Sequence, residues 1–319
     1  MSKAKNALGF LKETFREFGD DDCPRMAAAL AYYTVFSLPP LLVILIGIAG
    51  LAWGEQAVAG RIEGEVGALL GPQAGEAIAT MVENAGSDRS GSRLAAWLGL
   101  AVLLFGASGV FAQLQAALNE AWDVAPDPDK SGVVRMVTKR LLSFGMVLGI
   151  GFLLLVSLAL SAFLSAAGEM VASMLPAGIS QVLLQGVHTA VALAIIMLLF
   201  AAIYKVMPDA EVSWRDTWVG AGVTALLFVV GKFAIGFYLG NSDPGSAYGA
   251  AGSLVLILVW IYYASLIVLL GAEFTQVWAR RYGRGIVPEK GAVRVVEQKR
   301  HLHGAAARRH AESERSPRP

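Results

Sequence analysis

The chain has 319 residues, 55% of them hydrophobic and only 16% charged, against about 25% charged in an ordinary soluble domain. That balance excludes a soluble globular protein and implies an integral membrane protein. The formal net charge of +1 decides nothing, since the information lies in how charge is shared between segments, and the single cysteine, Cys23, excludes an intramolecular disulfide framework.

Residues 1–25 mix lysines and acids around Leu8, Phe10, Leu11, Phe15 and Phe18, a spacing that suits an amphipathic helix able to lie on a membrane surface. The charge of this segment, and the length of the apolar run after it, do not suit a cleavable signal, so the first run is expected to be retained. That run, Met26 to Trp53, is nearly free of charge and carries Pro39 and Pro40 in its middle. As one helix it would be about 40 Å long, enough for a hydrocarbon core of about 30 Å. Each proline lacks an N–H and disfavours helix in the residue before it, so a kink is expected at Ser37 and Leu38. Freed backbone groups there need partners inside the protein. The hydroxyls of Thr34 and Ser37 are the near candidates, with Tyr32 and Tyr33 one turn earlier. Such a break either lines a site or is an ordinary proline kink.

Residues 54–93 are glycine-rich and mildly acidic. Val58, Ile62, Val66, Leu69 and Leu70, then Ile78, Met81 and Val82, recur at helical steps, predicting two short amphipathic helices that cap one face. Further apolar runs fall at about 94–118, 141–167, 179–204, 217–239 and 250–278, each near or above the roughly 20 residues of a span. Between them lie a charged linker at 119–140, a short loop around Pro176, a polar turn at 205–216 and the NSDPGSAYG turn. From Gly283 the chain is polar and basic without sustained apolar period, and most of it is expected to be disordered.

The expected fold class is therefore all-α: a polytopic membrane protein with six transmembrane helices, a kinked first span and a short extracytoplasmic helical cap. Its divisions are an N-terminal segment at 1–25, a six-span domain at 26–282 with the cap at 54–93, and a tail at 283–319. Of the 26 Lys and Arg residues, 22 fall in the N-terminal segment, the 119–140 linker, the 205–216 turn and the stretch after Val277. Arg61, Arg89 and Arg93 fall in the 54–93 segment, and Lys232 lies within a span. The positive-inside rule then puts both termini in the cytoplasm.

Three stretches carry a family resemblance: AAALAYYTVFSLPPLL at 27–42, FGASGVFAQLQAALNEAWDV at 105–124, and SAYGAAGSLVLILVWIYYASLIVLLGAEFTQVWARRYG at 246–283. With them the chain resembles the YihY/BrkB family of bacterial inner-membrane proteins over nearly its whole length, the tail excepted. The resemblance implies a location in the bacterial inner membrane and a family associated with virulence and serum resistance. Members have been proposed to move envelope lipids or other solutes, and long carried a ribonuclease label.

Metal-dependent hydrolysis of RNA wants clustered histidines and carboxylates. Here His301, His303 and His310 lie in the tail and His188 stands alone in a span. No serine has the Gly-flanked elbow of a hydrolase, and no Walker-type loop is present. No enzyme activity, metal, cofactor or nucleic-acid partner is expected.

Ionisable groups inside the membrane are the default functional candidates. Lys232 lies about eight residues, roughly 11 Å, from the outer end of the fifth span, and His188 lies at similar depth in the fourth. Turned inward, they would form a polar pocket whose counter-charge is Glu169, Asp243 or an anionic lipid head group. Otherwise Lys232 snorkels outward and His188 bonds a backbone carbonyl. Gln113, Gln115, Asn119 and Glu120 crowd the cytoplasmic end of the second span, as Glu273 and Gln276 do for the sixth. They suit interfacial caps and inter-helix hydrogen bonds, with Glu273 within reach of Arg280 or Arg281, or a gate. Tyr262 and Tyr263 need hydroxyl partners and could meet the break near Ser37.

Gly145 with Gly149 and Gly236 with Gly240 are small-xxx-small pairs suited to close helix packing, and a homo-oligomer stays open. Gly106, Ser108 and Gly109 suit packing or a passage for substrate. Trp53, Trp122, Trp214, Trp218 and Trp278 fit aromatic belts at the membrane interfaces. Arg280, Arg281, Arg284 and the tail's basic residues can attract anionic lipid head groups. The function these features point to is translocation of a lipid or amphipathic solute across the membrane or between its leaflets. The alternative is a non-transporting envelope scaffold that binds a partner.

Overall fold

The computed structural model describes residues 2–70, 79–80, 109–127, 145, 177–242 and 252–295. Helix α1 (Ser2–Asp20) turns at Asp21 and Asp22 into α2 (Cys23–Trp53). Asp22 takes up the left-handed conformation, φ 51°, which an Asp tolerates better than most residues. Pro24 then sits in the first turn of α2, where its missing N–H leaves no bond unmade. Helix α2 runs through Pro39 and Pro40 as one helical element. It ends at Gly54, φ 86°, whose N–H reaches back to Gly50 O.

Helix α3 (Glu55–Leu70) follows at once. Its Ile62 packs on a cluster of Val35, Leu42 and Ile257. This accounts for the first of the two expected cap helices; nearly all of the second lies outside the described residues. Helical residues 109–121, here α4, lead through a turn to β1 (Val124–Pro126). Then come α5 (Ala177–Val206), β2 (Ala210–Glu211), α6 (Trp214–Ser242), α7 (Gly252–Tyr282), β3 (Val287–Pro288) and β4 (Ala292–Arg294).

Three of the described helices contain stretches long and apolar enough to cross a membrane: Thr189–Val206, Trp214–Ile235 and Leu254–Tyr282. They overlap the runs expected at 179–204, 217–239 and 250–278, and run past them at Val206, Trp214 and Tyr282. Most of the expected spans at 94–118 and 141–167 lies outside the described residues.

The main core joins α4, α5, α6 and α7 through Leu118, Trp122, Phe200, Tyr204, Ala225 and Ala272. A second cluster joins the start of α2 to α4 and α7 through Cys23, Met26, Leu30, Ala117 and Leu269, with Tyr262 against it. The α6–α7 contact is close because Gly271 takes no space: a β-carbon there would overlap Thr224 and Tyr204. At Gly109 the space is filled by Ser37 and Tyr33 of α2, with Ser37 Oγ 3.3 Å from where a β-carbon would sit, so packing accounts for this glycine.

Two short antiparallel strand pairs close one end of the bundle. β1 pairs with β4, Val124 opposite Arg294, and β2 pairs with β3, Ala210 opposite Pro288. Backbone bonds continue the clasp, from Val295 N to Asp123 O at 2.8 Å and from Glu289 N to Asp209 O at 2.9 Å. The stretch just after Gly283, expected to begin a disordered tail, is thus strand-paired as far as Arg294. Described parts of all four basic-rich segments meet at this end, called here the polar end.

Candidate functional site

The polar end buries polar side chains and satisfies them across sequence-distant elements. Asp209, in the turn between α5 and β2, is buried and accepts from Asn119 Nδ2 at 2.8 Å and Gln115 Nε2 at 3.2 Å. Its own N–H donates to Asn119 Oδ1 at 2.8 Å. Asn119 and Gln115 are four residues apart on α4, so one helix face presents both amides to one carboxylate. Gln276 of α7 donates to Asp123 Oδ2 at 3.1 Å. The Ser213 hydroxyl donates to Asp216 Oδ2 at 2.7 Å and accepts from Asp216 N, capping α6. Lys205 donates to Val212 O at 2.5 Å and lies over the Trp214 ring.

Within the bundle Tyr204 makes a separate pair of bonds, donating to Val268 O at 2.7 Å and meeting Thr224 Oγ1 at 2.9 Å. Gln115, Asn119 and Gln276 thus make the inter-segment hydrogen bonds expected of them, but Asp209 and Asp123 were not foreseen. Their spacing gave no signal, because the partners lie 90 and 153 residues away. Trp122 departs from its expected place in an aromatic belt: it is buried, and its indole donates to Ala272 O at 3.0 Å. The left-handed residue Asp123, φ 54°, turns the chain toward β1 and lets the indole fill the gap against α7. Trp214 and Trp218 are exposed.

Glu273 does not pair with Arg280 or Arg281. It is fully buried, and its Oε1 accepts from the Cys23 thiol at 3.5 Å. The two arginines instead reach α1. Arg280 binds Glu13 at 2.6 Å and Glu17 at 2.9 Å, and Arg281 binds Glu13. Burial raises the Glu13 pKa, but the bonds from Arg281 and Arg280 outweigh it and leave the carboxyl below its usual range. Cys23, before the apolar run, has its thiol pushed up by burial and by the Glu273 and Asp21 charges, so it stays protonated and is no nucleophile. Phe10 completes the junction, edge-on to Phe274 at 4.9 Å and to Trp278 at 6.2 Å. The apolar residues of α1 are thereby divided. Phe10 is buried and Phe18 packs on the α2 cluster, while Leu8, Leu11 and Phe15 are exposed.

Other candidates are dispersed. Ser37 is buried against α4, and Thr34 donates to Leu30 O at 2.6 Å. Tyr32 and Tyr33 are exposed, while Gln113 is half-buried. Tyr262 turns toward the α2 cluster and Tyr263 toward Gly231 of α6, so the two diverge. Lys232 is exposed rather than turned into the bundle, at a level of α6 that also exposes Val230, Phe233 and Ala234. The side chains of His188, Pro39 and Pro40, and all of Glu169 and Asp243, lie outside what the structure describes. Among the described residues no group of three His, Cys, Asp or Glu is placed to hold a metal ion.

The family model for virulence factor BrkB matches residues 14–295, from the second half of α1 through the β4 clasp. The chain belongs to the BrkB family. Relatives of this BrkB-family chain include a UPF0761 membrane protein of Pseudomonas aeruginosa strain LESB58. It is 27% identical over 310 residues, covering 93% of this chain and 71% of the relative. A UPF0761 membrane protein of Ralstonia nicotianae is 28% identical over 262 residues, covering 81% and 56%. The putative ribonuclease-like protein YfkH of Bacillus subtilis strain 168 is 24% identical over 279 residues, covering 86% and 96%. No solved structure matches significantly. With its apolar helices, family membership makes the BrkB-family chain an integral membrane protein.

Proposed function

We propose that the protein translocates a lipid or amphipathic solute across the bacterial inner membrane, or between its leaflets, and is not an enzyme. The supporting observation is Lys232, a cation exposed on a span. Just beside it, Gly231 packs against Tyr263 and Ile267 of α7. Val230 is 59% and Phe233 73% exposed. Among the described residues Lys232 has no ion-pair partner. A lysine in the hydrocarbon costs about 2.5–3.5 kcal/mol on insertion scales, and an anionic head group offsets that cost. In this reading Lys232 neutralises a head group as it passes. Six spans, a first helix bent at Pro39 and Pro40, and a polar end facing the cytoplasm complete the arrangement.

The test is lipid exchange between leaflets of liposomes containing the purified protein, with labelled anionic and zwitterionic lipids. Wild type should accelerate exchange of the anionic lipid, and Lys232→Met should lose most of it. No exchange by folded protein, or full exchange by the variant, sinks the reading. The second reading is a non-transporting scaffold. Its support is the exposed Leu8, Leu11 and Phe15 surface of α1, beside a network suited to rigidity. A scaffold would tolerate Lys232→Met and fail when residues 54–93 are removed.

A further inference from the structure

Helix α1 is apolar over a wide arc, and only part of that arc is covered. Phe10 and Thr14 are buried and Phe18 packs on the α2 cluster, so these residues fasten α1 to the bundle. Leu8, Leu11 and Phe15 are 70%, 48% and 59% exposed. At 3.6 residues per turn the three fall within about 60° of one another, one stripe adjoining the docked face. The placement of α1 decides what meets that stripe. Phe10 lies against Phe274, Trp278 and Tyr282, in the last turns of the apolar stretch Leu254–Tyr282 that is long enough to cross a membrane. Thirteen residues further on, the Cys23 thiol reaches Glu273, the neighbour of Phe274. Two points so far apart along the chain meet one turn of α7, so α1 runs across that helix and not along it. With α7 crossing the membrane, α1 lies in the plane of its surface, at the depth where hydrocarbon gives way to head groups.

Charge around the stripe is sorted as well. Lys12, four residues after Leu8, is exposed and, among the described residues, without an ion-pair partner. The acids of α1 are occupied: Glu13 and Glu17 by Arg280 and Arg281, and Asp20 by Arg16 at 3.8 Å. A free cation beside an apolar stripe, with the nearby carboxylates neutralised, complements a surface that is apolar below and anionic above. We propose that Leu8, Leu11 and Phe15 form a lipid-binding surface. Helix α1 then lies in the membrane interface at the polar end, with the three side chains in the acyl region and Lys12 on an anionic head group. It has two attachments, to α7 through Phe10 and the arginine links and to the bilayer through the stripe. The inference does not depend on translocation, and it assigns to lipid the surface that the scaffold reading gives to a protein.

The test places a nitroxide label on the full chain at Leu8→Cys, Leu11→Cys, Phe15→Cys or Asp20→Cys, one at a time, in phosphatidylcholine nanodiscs with and without phosphatidylglycerol. All four side chains are exposed, so the substitutions leave the packing intact, and Cys23 is fully buried, which directs the label away from it. Collisions with oxygen should exceed those with a water-soluble nickel complex several-fold at Leu8→Cys, Leu11→Cys and Phe15→Cys, and the ratio should invert at Asp20→Cys. Adding phosphatidylglycerol should raise the ratio at Leu11→Cys, and Lys12→Gln should abolish that rise. Nickel access along the stripe equal to that at Asp20→Cys means that the stripe lies in water. Low access to both reagents means that protein, such as a second copy of the chain, covers it. Either result overturns the proposal, and a ratio indifferent to phosphatidylglycerol overturns the role of Lys12.

Discussion

Asp209, Asn119, Gln115 and Gln276 at the polar end are drawn from segments far apart in sequence and hydrogen-bonded to one another or to Asp123. About 24 Å further along α6 from Asp216, at helical rise, Lys232 stands among exposed apolar side chains, beside a glycine that packs on α7. The polar end is over-determined: each group has a defined partner, and moving one strands another. At the level of Lys232, among the described residues, no ion-pair partner fixes the side chain. Substitutions should therefore cost most stability at the polar end and least at Lys232.

Three substitutions probe that contrast. Asp209→Leu should be the most damaging, since it leaves the Asn119 and Gln115 side-chain amides without their acceptor. A loss of roughly 3 kcal/mol is expected from charge-assisted bonds, read as a lowered thermal midpoint in detergent. Tyr204→Phe keeps the ring and removes one hydroxyl between Val268 O and Thr224. It should cost about 1 kcal/mol by the same measurement. Lys232→Met should leave the midpoint within about 0.5 kcal/mol of wild type while changing lipid exchange. A large destabilisation there would mean that this level of α6 is built like the polar end, and the contrast would fail.

The long helices were legible because an apolar run of span length has few other fates. The positive-inside count also placed the N-terminal segment, the 119–140 linker, the 205–216 turn and the basic stretch after Val277 on one side, and described parts of all four meet in the structure. The clasp was not legible, because strands of two and three residues are too short to show a period. Glu273 illustrates a different limit. Helical spacing pointed to Arg280 and Arg281, seven and eight residues on, whereas its partner Cys23 lies 250 residues away. Likewise α6 is apolar nearly all round, so no periodic stripe could tell which way Lys232 points. Gly271 was overlooked because its close neighbours, Thr224 and Tyr204, are on other helices.

The clasp also imposes an order of assembly. β1 is made well before β4, and α5, α6 and α7 all come between them. A chain emerging from the ribosome therefore holds β1 unpaired until the last of those helices has been delivered to the membrane. Pairing of Val124 with Arg294 is therefore complete only after the final helix has been made, and a chain cut short before β4 leaves β1 without its partner.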